Sequence, residues 1–570
     1  MVKQGFGIIT LQEPAINPFN HSIASKDWIT VYPTTHEAHP EKTRTLTLIN
    51  ASISTDAWKQ VNFPSGDVTV TIMKGTWGKM TIFNIYNDCS NNNTIHQLRH
   101  FHRSHPDIIE HSEVGLVHVL WVGDFNRHHP HWDNSNDTQL FTTEATNAAN
   151  VLIDAVASLG LELALPSGIP MHYHNVTKKW TRLDQVFISD HSIDMIETCT
   201  TKTRFHSIKT DHLPVITKLN IEIPITQPPP TRNFCEVDWG EFRDHLSNCL
   251  VRTHNPEQIT SQDQINVSCD ELTQAIQVTI EADVPAIKIC SKLKRWWTKE
   301  LTQMWKQANK IGRQSYRLRD IAAHPIHKEH DEAVRTYDRT LECTKRQHWR
   351  DWLECTEDPD IWMVYKLISS PATDGAKARI PALKYSTGNE ESTASNNQEK
   401  SKILAKSFFP TKPNNTGIPT DFQYPEACCK PGQITKEQIA TQIRKLKPFK
   451  APGPDGIPNV VLIKCADILI NRLLHIYKAM VERNLHYAPW KTFTTVVLRK
   501  PGKPRYDVPK AYRPIALLNT MWNVLAAVIA DQLTYITEKH QLLPSLPFGG
   551  RPGRTTTDAI LLVTHKIKNA

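Results

Sequence analysis

Positions 122–133 read Val122-Gly123-Asp124-Phe125-Asn126-Arg127-His128-His129-Pro130-His131-Trp132-Asp133. A carboxylate, an amide and three imidazoles follow directly on an apolar, β-branched run at 116–122 that is broken only by His118. Core packing does not ask for that composition, because charged and amide groups are rarely buried without partners. Groups that exchange protons and bind ions, set in a loop at a strand end, are instead typical of a reactive site. Asp124 alone reads as a polar turn residue; Asp124 with Asn126 and the histidines reads as a site. Further polar clusters stand at Gln12-Glu13-Pro14, Asn84-Ile85-Tyr86-Asn87-Asp88, Thr181-Arg182-Leu183-Asp184 and Thr210-Asp211-His212. Each alone is most simply a solvated turn, and their order and company give them weight.

Strands must hold these clusters. Strand-like apolar runs lie at 7–11, 45–49, 68–73, 80–86, 117–122, 185–189 and 215–219, with a polar cluster at the end of the first, fourth and fifth and at the start of the last two. Between them, 140–161 repeats apolar residues at helical spacing along one face. The expectation for residues 1–223 is an α/β domain of stacked sheets with flanking helices.

The four stretches Leu11-Gln12-Glu13, Gly123-Asp124-Phe125-Asn126, Thr181 to Asp184 and Thr210-Asp211-His212 resemble, in order, the LQE, GDFN, S-x-x-D and SDH signature of the endonuclease/exonuclease/phosphatase superfamily. The His-His-Pro-x-Trp continuation is similar to the branch found in non-LTR retrotransposons. Thr181 and Thr210 stand where the family has Ser, and each keeps a hydroxyl. The resemblance implies an α+β two-sheet sandwich. It also implies an Asn-bearing strand ahead of LQE, for which the ten residues before Leu11 leave no room, so the expected domain lacks its first strand and one ligand.

Phosphodiester hydrolysis needs charge neutralisation, an oriented water and stabilisers for the phosphate oxygens. The resemblance implies Mg²⁺, with Mn²⁺ as the alternative, on Glu13 with Asp211 in support. Asp124 would take the proton of the attacking water and Asn126 would orient it. His212 would face the scissile phosphate, kept protonated and aligned by Asp184, and Tyr86 would donate to a phosphate oxygen. His128 and His129 are open between a zinc role, a loop wall against DNA and a plain polar loop. Arg127, Lys178 and Lys179 read equally as nucleic-acid backbone contacts or as a solvated basic loop.

Residues 224–432 open with Pro228-Pro229-Pro230, a stiff linker, and continue as a basic helical connector. One or two amphipathic helices are expected over 240–282, a long one ending near Arg319, and another after His324-Pro325. Residues 291–350 carry fifteen Lys and Arg against seven Asp and Glu, with Trp296, Trp297, Trp349 and Trp352 interleaved. Such a mixture suits nucleic-acid backbones and base stacking, and equally a solvated face over a Trp core stripe. The layout is similar to the connector of retrotransposon proteins. Residues 371–432, rich in Pro, Ser, Thr and Asn, read as mostly loop and partly disordered.

From 433 a helix is expected at Ile434-Thr435-Lys436-Glu437-Gln438-Ile439, with Thr435 and Gln438 as a capping box and Ile434 stapled to Ile439. Lys450-Ala451-Pro452-Gly453-Pro454-Asp455-Gly456-Ile457, a strand at 493–499, the basic turn Lys500-Pro501-Gly502-Lys503-Pro504, Tyr512-Arg513-Pro514-Ile515 and Phe548 to Asp558 follow. As a set they resemble the fingers of non-LTR reverse transcriptases. The resemblance implies that Arg513 and Lys500 meet an incoming triphosphate. The paired aspartates of a polymerase palm would fall after Ala570, so this chain is not expected to polymerise DNA.

The chain of 570 residues has 39% hydrophobic and 22% charged residues and a formal net charge of +8, a globular composition leaning towards a polyanionic partner. Eleven cysteines without a CxxC pair point to reduced thiols rather than a disulfide scaffold or zinc site. No signal peptide or membrane partner is expected, and the location is nuclear or cytosolic; the oligomeric state is open. The leading function is the endonuclease and partial RNA-directed DNA polymerase of a retrotransposon, with target DNA and element RNA as partners. The alternatives are an abasic-site nuclease or phosphatase of the same superfamily and an inactive nucleic-acid-binding remnant.

Overall fold

The computed structural model describes residues 5–22, 27–109, 116–174, 179–205, 210–225, 232–254, 259–286, 296–321, 323–355, 364–365, 380–387, 390–394, 396–411, 419, 421–423, 426, 432–544 and 548–569. The chain divides into two units, one of residues 1–228, 290–382 and 394–399, the other of 229–289, 383–393 and 400–570.

The first unit opens with β1 (Ile8–Gln12), β2 (Trp28–Val31), β3 (Thr45–Asn50), β4 (Trp58–Val61), β5 (Val68–Gly75), β6 (Gly78–Tyr86), α1 (Asn93–Ser104), β7 (Val117–Asp124) and α2 (Thr143–Ser158). Then come β8 (Leu161–Leu163), β9 (His172–Tyr173), β10 (Trp180–Thr181), β11 (Asp184–Ser189), β12 (Ile196–Thr201) and β13 (Val215–Leu219). A six-stranded sheet runs β4-β5-β6-β7-β11-β8, and a three-stranded sheet runs β1-β3-β2. Of the six-stranded sheet's pairs only β6 and β7 are parallel, and α1 makes the crossover that a parallel pair requires.

The six-stranded sheet is buried on both faces. Val119 and Trp121 of β7 join Phe83, Phe125 and Leu152 under α1 and α2, while Leu120 joins Ile29, Ile49, Met80 and Val186 between the two sheets. Period-two alternation between two apolar cores gives the apolar run at 116–122, which only His118 interrupts. Trp121 is fully buried, and withdrawing one such ring from water is worth roughly 4–6 kcal/mol.

All seven expected strands are present. Of the six others, β2, β4, β8, β9 and β10 span two to four residues, too short for alternation to stand out, and β12, Ile196-Glu197-Thr198-Cys199-Thr200-Thr201, is too polar to read as an apolar run.

Past β13 the chain forms α3 (Trp239–Val251), α4 (Gln262–Asp283), α5 (Lys299–Arg317) and α6 (Pro325–Glu354). The connector expected as one piece is divided between the units. In the second, Phe242, Leu246 and Ile276 of α3 and α4 share a core with Ile443, Leu469, Tyr477 and Val524. α5 and α6 belong to the first. The stretch read as mostly loop contains a hairpin, Leu383–Thr387 with Glu390–Ala394, and a helix, Asn397–Phe408. That helix buries only Lys400 and Leu404, which is why no apolar stripe announces it. The expected capping box of Thr435 and Gln438 starts the helix Lys436–Lys445, with Ile434 and Ile439 buried beside it. The strands Thr494–Arg499 and Tyr512–Leu517 pair as a hairpin. Among the described residues no helix is long and apolar enough to cross a membrane.

Candidate active site

Strand register builds the first part of the site. Tyr86 at the end of β6 stands opposite Asp124 of β7, and Asp124 stands opposite Asp184 of β11, so a phenol and two carboxyls form a row at one end of the sheet. Gly123 permits that closeness: a Cβ there would lie 1.9 Å from the Ile85 carbonyl oxygen, and its φ of +147° is one that side chains rarely adopt. After Asp124 the chain folds back. Asn126, at φ +51°, donates its backbone N–H to the Asp124 carboxylate (3.0 Å) and its side-chain amide to the Asn87 carbonyl (2.9 Å).

The second part comes from the other sheet. Buried Asn84 clamps the sheets together, accepting from Gln12 (2.6 Å) and donating to the carbonyls of Leu11 (3.2 Å) and Leu46 (3.0 Å). Glu13 comes next, at φ +47°, with its N–H on the Arg44 carbonyl (2.8 Å). Its carboxylate lies near the Tyr86 phenol, which it helps to keep protonated, and adds to the negative field at Asp124.

The third part is the loop before β13. His212 Nδ1 lies 2.7 Å from an Asp184 carboxylate oxygen. Backbone bonds from Tyr173 N–H to the Asp211 carbonyl (2.9 Å) and from Leu213 N–H to the Met171 carbonyl (2.7 Å) lay this loop along β9. His172 thereby comes against His212, ring centroids 4.6 Å apart, with Nδ1 3.1 Å from the Thr181 hydroxyl and Nε2 3.6 Å from Asp211.

These groups set each other's charge. Burial, then the Asp184 carboxylate, push Asp124 up to about 7, with Glu13 adding to the rise and His212 and the Asn126 N–H opposing it. Burial alone would lower His212, but the Asp184 hydrogen bond and the charges of Asp184, Asp124 and Asp211 outweigh it and raise the imidazolium to about 9. Burial and the Glu13 carboxylate lift the Tyr86 phenol far above its usual range. His172 goes the other way, lowered by burial and by the charge on His212. Near neutral pH the site thus pairs a carboxyl poised to accept a proton with a fixed cationic imidazole.

The raised Asp124 marks negative charge that the protein itself does not balance. Glu13 and Asp211 offer the oxygen donors that a hard divalent cation prefers, so the residues fit such an ion. His172, Asp211 and His212 also place one ligand atom each within 4.8 Å of one another, a mixed nitrogen and oxygen set.

Of the residues read from sequence, Glu13, Tyr86, Asp124, Asn126, Asp184, Asp211 and His212 come together here. Arg127 does not face outward. Its buried guanidinium is bonded to Asn92 Oδ1 (2.8 and 2.6 Å), the Asn126 carbonyl (2.7 Å) and the Asn91 carbonyl, which closes the loop on itself. His128 sits 3.3 Å from Asp133, and His129 stacks on His131 at 4.7 Å. Lys179 is exposed beside β10, and Lys178 lies outside the described residues. Lys500 donates to the Lys510 carbonyl (2.9 Å), and Arg513 is exposed opposite Leu498 on the second unit's hairpin.

Sequence reasoning missed His172 and Arg182. Arg182 is 1% exposed and holds the carbonyls of Leu165 (2.8 Å), Trp132 (3.1 Å) and Pro166 together with Gln185 Oε1 (3.0 Å). Its place inside Thr181-Arg182-Leu183-Asp184 was the only available signal.

Residues 80–216 match the family described as "Endonuclease-reverse transcriptase". The chain is 24% identical over 425 residues to the probable RNA-directed DNA polymerase from transposon BS of Drosophila melanogaster, covering 72% of this chain and 42% of that protein. It is 22% identical over 460 residues to the RNA-directed DNA polymerase from mobile element jockey of Drosophila funebris, covering 78% and 47%. The chain thus spans less than half the length of these relatives. The solved endonuclease domain of TRAS1, a telomere-specific non-LTR retrotransposon, aligns with 39% of this chain and 89% of its own at 13% identity and a TM-score of 0.29.

Proposed function

We propose that this chain, a relative of the non-LTR mobile-element polymerases with an endonuclease-type domain over 80–216, nicks a strand of target DNA so that the freed 3′-hydroxyl can prime reverse transcription. The observation that carries the reading is the 2.7 Å His212–Asp184 pair set beside a buried Asp124 poised near 7. A cation facing a base across one rim is what in-line attack of water on a phosphodiester needs.

A divalent ion, proposed as Mg²⁺ on Glu13 and Asp211, would supply neutralisation of the phosphodiester charge. Asp124 accepts the proton of the attacking water. Asn126, fixed by its bonds to Asp124 and Asn87, orients that water. His212, held cationic by Asp184, stabilises the charge gathering on the phosphate oxygens, and Tyr86 donates a further hydrogen bond to them. Thr181 fixes the neighbouring His172 ring through its Nδ1. Arg127 is left to close the loop rather than to grip DNA. On the second unit, Arg513 and Lys500 are read as contacts for an incoming triphosphate, with element RNA as template. Action on chromosomal DNA makes the nucleus the working location.

The test is nicking of supercoiled plasmid with Mg²⁺. Conversion to open circles that Asp124→Ala and His212→Ala both abolish supports the reading. DNA binding without nicking by the unaltered chain sinks it and leaves an inactive binding protein.

A further inference from the structure

One hollow adjoins the catalytic rim at Asp211 and a second opens beside the first, and the nicking chemistry uses neither. The larger, about 610 Å³, has Thr210, Asp211, Tyr173 and Trp180 on one wall and α5 and α6, with Arg313 and Arg335, on the other. The smaller, about 480 Å³, shares Thr203, Arg313 and Tyr316 with it and adds Lys202 and Arg317.

The helical wall is docked, not loosely apposed. The Tyr316 hydroxyl donates to the Pro170 carbonyl (3.0 Å), and its ring meets Trp180 edge-on at 4.9 Å. Ser315 on α5 bonds His327 on α6 (2.7 Å). Gly312 lets the two helices cross closely, since a Cβ there would come within 2.8 Å of the His330 ring.

The lining is selective. Lys202, Arg313, Arg317 and Arg335 face two carboxylates, Asp211 and Asp331, and none of the four cations enters an ion pair among the described residues. Arg313, Arg317 and Arg335 are exposed, so they are not held back by packing. Tyr173, Trp180 and Tyr316 supply aromatic surface beside them. Aromatic rings and arginines along one groove suit a strand whose bases stack and whose phosphates meet guanidinium groups. The larger volume lies in the range of sites that enclose a nucleotide-sized ligand, about 300–1,000 Å³, and is far too small for a duplex.

We infer that this groove is a second subsite of the nuclease, which takes an unpaired stretch of the DNA strand leading away from the scissile phosphate. The inference rests on the nuclease reading, because the groove starts at Asp211 of that site. α5 and α6 then form a working wall of the enzyme rather than a tether to the second unit.

The full chain carrying Arg313→Glu and Arg335→Glu tests it, against a control of equal charge change on α5 outside the groove, Lys306→Glu with Lys310→Glu. Binding of a fluorescent single-stranded oligodeoxythymidine is measured across a salt series, alongside plasmid nicking and thermal unfolding. The groove variant is expected to bind at least tenfold more weakly with an unchanged unfolding midpoint. Its slope of log affinity against log salt should shrink by about 1.4, about 0.7 for each of two lost phosphates. The control should keep most of the affinity. Equal weakening in both variants, or wild-type binding by the groove variant, overturns the inference. If the unaltered chain binds through the groove but never nicks, the nuclease reading fails and the subsite stands. If it nicks while the groove variant binds and nicks normally, only the subsite falls.

Discussion

The strand ends of the first unit and the hairpin of the second carry their polar groups in opposite ways. Tyr86, Asp124 and Asp184 sit where strands buried on both faces stop, and every neighbour is fixed by register, by Gly123 or by a clamp such as Asn84. Lys500 stands just past the end of one strand and Arg513 on the other of a pair that, among the described residues, bond only to each other, and Arg513 is exposed along with residues 514–516 beside it. Burial shifts proton affinities in the first setting, to about 7 at Asp124 and about 9 at His212. The lesson is that a rim on a double-sided sheet arrives with its electrostatics set, whereas cations on an open hairpin acquire theirs from whatever binds.

The sharpest way to break that contrast is to remove one group from each region. Asp124→Ala should lower the nicking rate by about 10³-fold or more, within or above the range of a lost general base. It should not destabilise the fold, because it relieves repulsion from Asp184 and Glu13. Arg513→Ala should leave nicking within twofold. A large nicking defect in Arg513→Ala, or a mild one in Asp124→Ala, measured on supercoiled plasmid, would erase the distinction.

The next effect concerns support rather than chemistry. Arg182→Met strips a buried guanidinium from three carbonyls and Gln185. Each stranded acceptor costs on the order of 1 kcal/mol or more, so a loss of about 3 kcal/mol is expected in urea unfolding. An exposed arginine such as Arg513 changed to Met should cost within about 0.5 kcal/mol. Equal losses would mean that Arg182 is not the clamp its contacts suggest.

How legible this was depended on length and on partners. The seven first-unit strands read in advance are those of five to nine residues whose apolar runs are long enough to recognise. The candidate rim was legible because its residues lie at the ends or the starts of such strands. His172 was not, since β9 has two residues and its importance comes from pairing with a loop forty residues away. Arg127 shows the converse error: a basic residue in a polar loop looks like a ligand contact until its donors are counted against nearby carbonyls. The division of the connector was hidden for a related reason. The apolar stripes of α4 and α5 tell that each packs, not on what.

A smaller effect is the pH profile of nicking. Asp124 must be unprotonated, so the rate should rise about tenfold per pH unit below its limb near 7, a limb that a bound divalent ion moves to lower pH. His212 must be protonated, so the rate should fall above about 9. His212→Asn should leave a slower enzyme without the alkaline limb. A profile flat from pH 5 to 10 in the unaltered chain would deny both assignments.

The smallest effect sharpens the comparison through stability alone. In the first unit His102 is on the buried face of α1, its Nε2 accepting from the Trp121 indole N–H (3.2 Å), and burial lowers it to about 4. A proton on that nitrogen would end the hydrogen bond. The unfolded imidazole titrates near 6.5, so the unfolded chain binds more protons between pH 6.5 and 4 and the contribution of His102 is lost as the pH falls through that window. In the second unit burial raises Asp455 to about 6, above its unfolded value of 3.8, although the Ile457 N–H bonds its carboxylate (3.1 Å). Its contribution is complete below pH 3.8 and is lost as the pH rises through 6. Acidification from 6.5 to 4 should therefore weaken the first unit at His102 and strengthen the second at Asp455. Relative to the unaltered chain, His102→Gln should flatten the acid side of the unfolding midpoint and Asp455→Asn the neutral side, each by a few degrees. If both variants shift the profile in the same direction, the opposed settings of the two units do not exist.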